Sequence, residues 1–212
     1  METRDSTRVV AIVGTYRHGG VIDTAVDEIL DSARQAGAET QKFFLLHHQL
    51  LFCNNCRKCT QTPGEERGPC GKRDDLPAIL DALDAADVIV LASPMNFGTV
   101  TAVMKVFIER LVCYAYWPWG ADIPRKRKRH AGKRAILVES SAAPAFMARW
   151  FGDVGRCLKQ AAQVLGAERF DRLTIGFASR EPRPKLPASI LRRAQALGRR
   201  HAHHHARPLA AS

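Results

Sequence analysis

Four cysteines fall within eighteen positions, as Cys53-x2-Cys56-x2-Cys59-x10-Cys70, and the acidic pair Asp74-Asp75 follows them. Thiolates two residues apart in a loop can converge on one iron-sulfur cluster or ion, with a fourth arriving on a return of the chain. Four thiolates also suit tetrahedral zinc, and a Cys-x2-Cys pair can cycle as a redox dithiol, so the spacing leaves three chemistries open. Cys113 and Cys157 fall inside expected helices and read as small buried hydrophobes.

Two further loops have the make-up of ligand-binding segments. Ser93-Pro94-Met95-Asn96-Phe97-Gly98-Thr99 leaves the all-apolar run 88–92 and enters an amphipathic helix. A parallel strand buried on both faces reads as an unbroken apolar run, and ligands collect at the carboxyl ends of such strands. Pro94 stops the strand, and Gly98 lets backbone approach a flat ligand. Gly14-Thr15-Tyr16-Arg17-His18-Gly19-Gly20 joins the first strand to the first helix, where backbone amides and the helix terminus make an anion site. No Lys-Ser/Thr follows its glycines, which excludes a P-loop, and the spacing is not that of a dinucleotide turn.

The elements that position these loops alternate as βα units. Strands are expected at 9–13, 40–46, 88–92, 134–138 and 173–177, and helices at 22–36, after Asp75, at 100–113 and at 146–165. Gly37 and Gly166 stop two of the helices, and Asp75 is a candidate cap. Parallel strands with helical crossovers predict an α/β, three-layer doubly wound fold, with a five-stranded parallel sheet in the order 2-1-3-4-5. Residues 1–178 form this domain, with a cysteine-rich loop at 53–75 and an aromatic and basic insertion at 114–133. A basic C-terminal extension, 179–212, carries a prolyl connector, a last amphipathic helix at 190–197, and a histidine-rich end, 201–205, read as a minor flexible tail.

With 212 residues, 46% of them apolar and 25% charged, one packed core is expected. No run is long enough to span a membrane and no leader is evident, which predicts a cytoplasmic protein with reduced thiols. The net charge of +11 is concentrated: 125–134 holds seven basic residues, and 180–207 holds eight against Glu181 alone. Without aromatic interleaving, these runs read as solvated surface rather than a nucleic-acid site.

Together the two loops resemble those of the flavodoxin-like NAD(P)H-dependent FMN reductases, whose first loop reads Gly-Ser-x-Arg-x-x-Gly-Asn-Thr/Ser and whose third-strand loop reads Ser-Pro-x-Tyr/Asn-Phe-Gly. The cysteine segment resembles that of the family's iron-sulfur flavoprotein branch, with residues 61–68 lengthening its last gap. The resemblance implies FMN as cofactor and NAD(P)H as co-substrate, with electrons passed to a quinone, a flavin or a similar small acceptor, and no catalytic acid or base. It places Thr15, Arg17, Gly19, Gly20, Val21 and Ile22 around the FMN phosphate. Pro94, Met95, Asn96, Phe97 and Gly98 would lie against the isoalloxazine, and amides at 96–99 would stabilise charge on it. By position, Ser140, Ser141 and Ala142 form the second wall. Val21 and Ile22 replace Asn and Thr/Ser, which removes side-chain phosphate contacts and predicts weaker FMN binding.

The alternative the resemblance implies is an electron carrier with a [4Fe-4S] cluster on Cys53, Cys56, Cys59 and Cys70. Lys105 and Arg110 match a helix ending of the family and are expected to serve structure. The segment Tyr114-Ala115-Tyr116-Trp117-Pro118-Trp119-Gly120 needs burial, either as a cap on a sheet edge or against a second subunit; a homodimer or tetramer is expected.

Overall fold

The computed structural model describes residues 6–127, 132–147, 152–178 and 184–204. Lys128, Arg129, Arg180, Arg183, His205 and Arg207 of the basic and histidine-rich segments, and 148–151 of an expected helix, lie outside them. The strands β1 (Arg8–Val13), β2 (Glu39–Phe44), β3 (Val88–Pro94), β6 (Lys133–Ser140) and β7 (Ala167–Ile175) form one parallel sheet in the order β2-β1-β3-β6-β7. This is the expected doubly wound order. A small antiparallel pair, β4 (Ala115–Tyr116) and β5 (Arg125–Lys126), sits in the insertion.

Alternation along the strands divides the core in two. Val9, Ala11, Val13, Val88, Val90 and Ala92 face one layer, against helices α1 (Val21–Gln35) and α5 (Ala188–His201). Val10, Ile12, Ile89 and Leu91 face the other, against α2 (Leu76–Ala85), α3 (Ala102–Arg110) and α4 (Val154–Val164). The period-2 side-chain direction of strands thus builds three layers from uniformly apolar runs.

Several expected boundaries change. Asp75 stands at the start of α2, but its carboxylate accepts from the Gln49 N–H at 2.8 Å, while Asp74 accepts from Leu76 N–H at 3.3 Å. The helix at 100–113 is shorter: Thr101 caps α3 by accepting from Met104 N–H, and Leu111–Tyr114 tighten into a 3-10 turn. The helix at 146–165 is interrupted, since Gly152 and Asp153 are not helical and Asp153 N–H is bonded to Gly98 O at 2.6 Å. The fifth strand starts earlier, at Ala167, and ends at Ile175, before Phe177.

Within the extension, α5 packs on α1. Ala194 and Leu197 are buried, and a Cβ on Gly198 would lie 2.2 Å from Ile29 O. The histidine end is not a free tail over its described part, because His201 Nε2 meets Asp171 Oδ2 at 2.8 Å and His204 Nε2 meets Gly132 O at 2.8 Å. No helix among the described residues is long and apolar enough to cross a membrane.

Candidate functional site

The carboxyl ends of β1, β3 and β6 open on a cleft of about 1030 Å³. Its floor is hung on two buried hydroxyls that sequence reasoning missed. Thr101 Oγ1 donates to Gly14 O at 2.6 Å, and Ser93 Oγ accepts from Thr101 N–H at 3.1 Å, which ties the first loop to the third-strand loop. Gly14 is obligatory at this junction, since a Cβ there would lie 2.6 Å from Met104 Cβ.

Of the expected residues, Thr15, Arg17, Gly19, Gly20, Val21, Ile22, Pro94, Met95, Asn96, Ser140, Ser141 and Ala142 line this one cleft. Phe97 and Gly98 do not. They are the two central residues of a tight turn, with φ of 48° and 79°, closed by paired bonds between the amides and carbonyls of Asn96 and Thr99. The Phe97 ring is fully exposed at its tip. Gly98 serves the turn's geometry, and the Asn96 and Thr99 amides are committed to the turn rather than offered to a ligand. The third-strand loop thus reaches the cleft through Pro94, Met95 and Asn96. Asn96 is not the cap of α3, a role held by Thr101.

In the first loop, Asp23 is buried and lies beneath the backbone. It accepts from Gly19 N–H at 2.8 Å and is paired with Lys42 Nζ at 2.6 Å and His18 Nδ1 at 3.1 Å. Burial works against the Lys42 ammonium, but its bonds to Asp23 and Asp27 outweigh that and raise its pKa. His18 stacks on Phe44 with ring centroids 4.9 Å apart. Arg17, His18 and Lys185 also face the cleft, whose lining contains no carboxylate among the described residues. The cations Arg17 and Lys185, with the first-turn amides of α1, suit a dianion. Sequence reasoning also missed Tyr16, Thr24 and the far wall, Pro184, Lys185, Leu186 and Leu191, which long-range packing of α5 delivers.

A second, smaller cavity of about 20 Å³ is lined by Cys53, Cys56, Cys59 and Cys70, with Arg110 and Cys113. The lengthened gap at 61–68 folds back so that Gly68 N–H meets Cys113 O at 2.8 Å, and it packs so tightly on Cys59 that a Cβ on Gly68 would clash with the Cys59 carbonyl. Buried Arg127 donates to the carbonyls of Cys59, Thr62, Gly64 and Ala115. Arg57, at φ 55°, lies over Trp117 and Trp119, 3.9 and 4.2 Å from the ring centroids. The aromatic insertion is therefore a clamp on the cysteine loop, and none of its described residues lines the larger cleft.

Burial and the neighbouring thiols push Cys59 up, and burial pushes Cys113 up to about 12, which keeps it a neutral hydrophobe. Arg110, far from a plain surface residue, is buried with Asp74 at 2.6 Å and reaches Cys70 Sγ at 3.6 Å. Among the described residues no three His, Cys, Asp or Glu side chains are grouped closely enough for a single ion. The same four thiols are a donor set for tetrahedral zinc, with Zn–S of ~2.3 Å. An all-cysteine donor set also suits an iron-sulfur cluster, which spreads its thiolates over separate corners.

The model of the NADPH-dependent FMN reductase family matches residues 7–150, which include the cysteine loop and both loops of the cleft. The chain belongs to that family. Two iron-sulfur flavoproteins are similar to it: one from Archaeoglobus fulgidus, 30% identical over 111 residues (52% of this chain, 48% of that one), and one from Methanocaldococcus jannaschii, 34% identical over 103 residues (49% and 51%). The chain thus spans about half the length of these curated relatives. In fold it is similar to an NAD(P)H:quinone oxidoreductase from Methanothermobacter marburgensis, with a TM-score of 0.66, 13% identity, and coverage of 92% of this chain and 98% of that one. As a member of the FMN reductase family, the chain has a cleft whose basic side chains and helix terminus fit FMN.

Proposed function

We propose that the protein is an FMN-dependent NAD(P)H oxidoreductase that passes electrons to a quinone, a flavin or a similar small acceptor. The observation that carries this is the cleft at the carboxyl ends of β1, β3 and β6, in which twelve of the fourteen expected flavin-site residues meet. Bound there, FMN would accept a hydride from the nicotinamide and release the electrons to the acceptor. The chain's own residues do three things. The first loop and the start of α1 hold the phosphate end, Pro94 to Asn96 border the cleft from the third strand, and Ser140 to Ala142 keep the opposite wall low enough for a flat ring system and a second flat molecule.

A second reading adds a [4Fe-4S] cluster on Cys53, Cys56, Cys59 and Cys70, which makes the protein an electron carrier. It is favoured by the four thiols lining one cavity beside a buried guanidinium. Exposed Phe52, Trp119 and Ile123 support self-association as a homodimer or tetramer, measurable by light scattering.

One anaerobic preparation, purified without added cofactor, tests both readings through flavin, iron and zinc per chain and through NAD(P)H oxidation. Flavin bands with nucleotide oxidation and little iron are expected for the simple reductase. About four irons per chain with little direct nucleotide oxidation would favour the carrier. A colourless protein that takes up no FMN would overturn both.

A further inference from the structure

The expected C-terminal extension returns to the cleft. Residues 184–191 form its far wall through Pro184, Lys185, Leu186 and Leu191, and the position of this arm is set by α5 lying on α1. Gln195 donates to Glu28 Oε2 at 2.9 Å, and the Gly198 backbone touches that of Ile29. The arm is therefore fixed relative to α1, the helix whose first turn faces the cleft.

The composition of the first loop is accounted for by this arrangement. Val21 and Ile22 are buried, and Leu186 and Ile190 pack against the same apolar cluster. Positions that carry polar side chains in the family motif belong here to the apolar cluster on which the arm packs. The loop also has a charge deficit for an anion, because Asp23 takes the Gly19 amide and places a buried carboxylate under the site, with His18 paired to it. Among the described lining residues, Arg17 is the loop's guanidinium, and Lys185 is a cation supplied by another part of the chain.

We propose, on the strength of the flavin reading above, that the C-terminal arm is part of the cofactor site and that Lys185 is a specificity-determining contact for the flavin phosphate. It supplies a side-chain hydrogen bond where Val21 and Ile22 offer none, and adds a positive charge. An ammonium bonded to a phosphate recognises the phosphorylated flavin and contributes nothing to riboflavin.

The test is the Kd of apoprotein for FMN and for riboflavin, read from quenching of flavin fluorescence, for the parent, Lys185→Gln and Lys185→Arg. Lys185 is exposed, so folding is not at issue. For Lys185→Gln the FMN Kd is expected to rise about tenfold, the size of one charge-assisted hydrogen bond, with the riboflavin Kd unchanged; Lys185→Arg should recover most of the loss. The preference of the parent for FMN should also weaken with salt more than that of the glutamine variant. Equal FMN binding by all three proteins overturns the inference. So does an unchanged FMN Kd with a raised KM for NADPH but not NADH, which would move Lys185 to a dinucleotide phosphate. Failure of the parent itself to bind FMN overturns the flavin reading beneath it.

Discussion

Replacing Arg110 by Met should be among the most damaging single changes in the described structure. The Arg110 and Asp74 side chains are 2% and 0% exposed, and Nη1 lies 2.6 Å from Asp74 Oδ2. The guanidinium also donates to Leu51 O at 2.7 Å and reaches Cys70 Sγ. Met fills similar volume but leaves a carboxylate in the interior without its cation, and breaking a buried pair from one side costs about 3–5 kcal/mol. For a chain of this size that is on the order of 10 °C in Tm. Burial alone would raise the Asp74 pKa, yet the hydrogen bond from Arg110 and the amide of Leu51 hold it below the usual carboxylate range. A depressed folded pKa means that this stabilisation is complete above about pH 4 and is lost as the pH falls through the lower folded value. In Arg110→Met the stranded carboxylate takes up a proton more easily, so the gap between parent and variant should be widest near neutral pH and narrow on acidification. Thermal melts of the parent, Arg110→Met, Asp74→Asn and the double variant, from pH 4 to 8, check this. The double variant should lose at least 1 kcal/mol less than the two singles added together. Strict additivity with a pH-independent gap would refute a coupled buried pair.

Three smaller changes probe the supports of the two cavities. Thr101→Val removes both the cap of α3 and the bond to Gly14 O, and should cost about 2–3 kcal/mol in urea denaturation and speed FMN release; a loss below about 0.5 kcal/mol would be inconsistent with the latch. Arg127→Met strips the donor from four carbonyls, so trypsin or another protease should cut the 59–68 segment faster than in the parent, and an unchanged digestion rate would count against the clamp. Burial holds His201 below its ordinary pKa of 6.5 despite Asp171, with Arg134 and Arg200 adding to the effect. Its neutral form is the folded one, so stability should fall as the pH drops below 6.5, and His201→Gln should flatten that limb of the Tm–pH curve.

The central strands were legible in the sequence because burial on both faces leaves no polar alternation, and α1 because its apolar residues recur on one stripe. Strand ends marked the loops, and the resemblance to the family's loops picked out their residues, with Ser140 to Ala142 added by position. Phe97 and Gly98 stand outside the cleft lining for a local reason: two successive residues at positive φ turn the chain outward, and a non-glycine at φ 48° gives no sign of that in sequence. The break at Gly152–Asp153 was hidden by apolar periodicity continuing across it, and was decided by a backbone bond from Asp153 to Gly98, distant in sequence. Lys185 and the arm were invisible for a similar reason. A prolyl connector sets no direction, and only the packing of Ala194 and Leu197 on α1 brings residues 184–191 back across the cleft.

Helix α3 links the two cavities physically. Its first turn is latched to the flavin loops, with Thr101 on Gly14 O and Met104 against the Gly14 backbone. Its last residue, Arg110, is the buried cation that holds Asp74, Leu51 and Cys70. Nine residues at 1.5 Å each make this a rod of about 13 Å, with Met104 and Phe107 fully buried along it. A rod packed on its long face transmits displacement rather than absorbing it. The flavin loops and the cysteine loop therefore take their positions from one short element, and a core substitution at Phe107 reaches both ends even though it touches neither site.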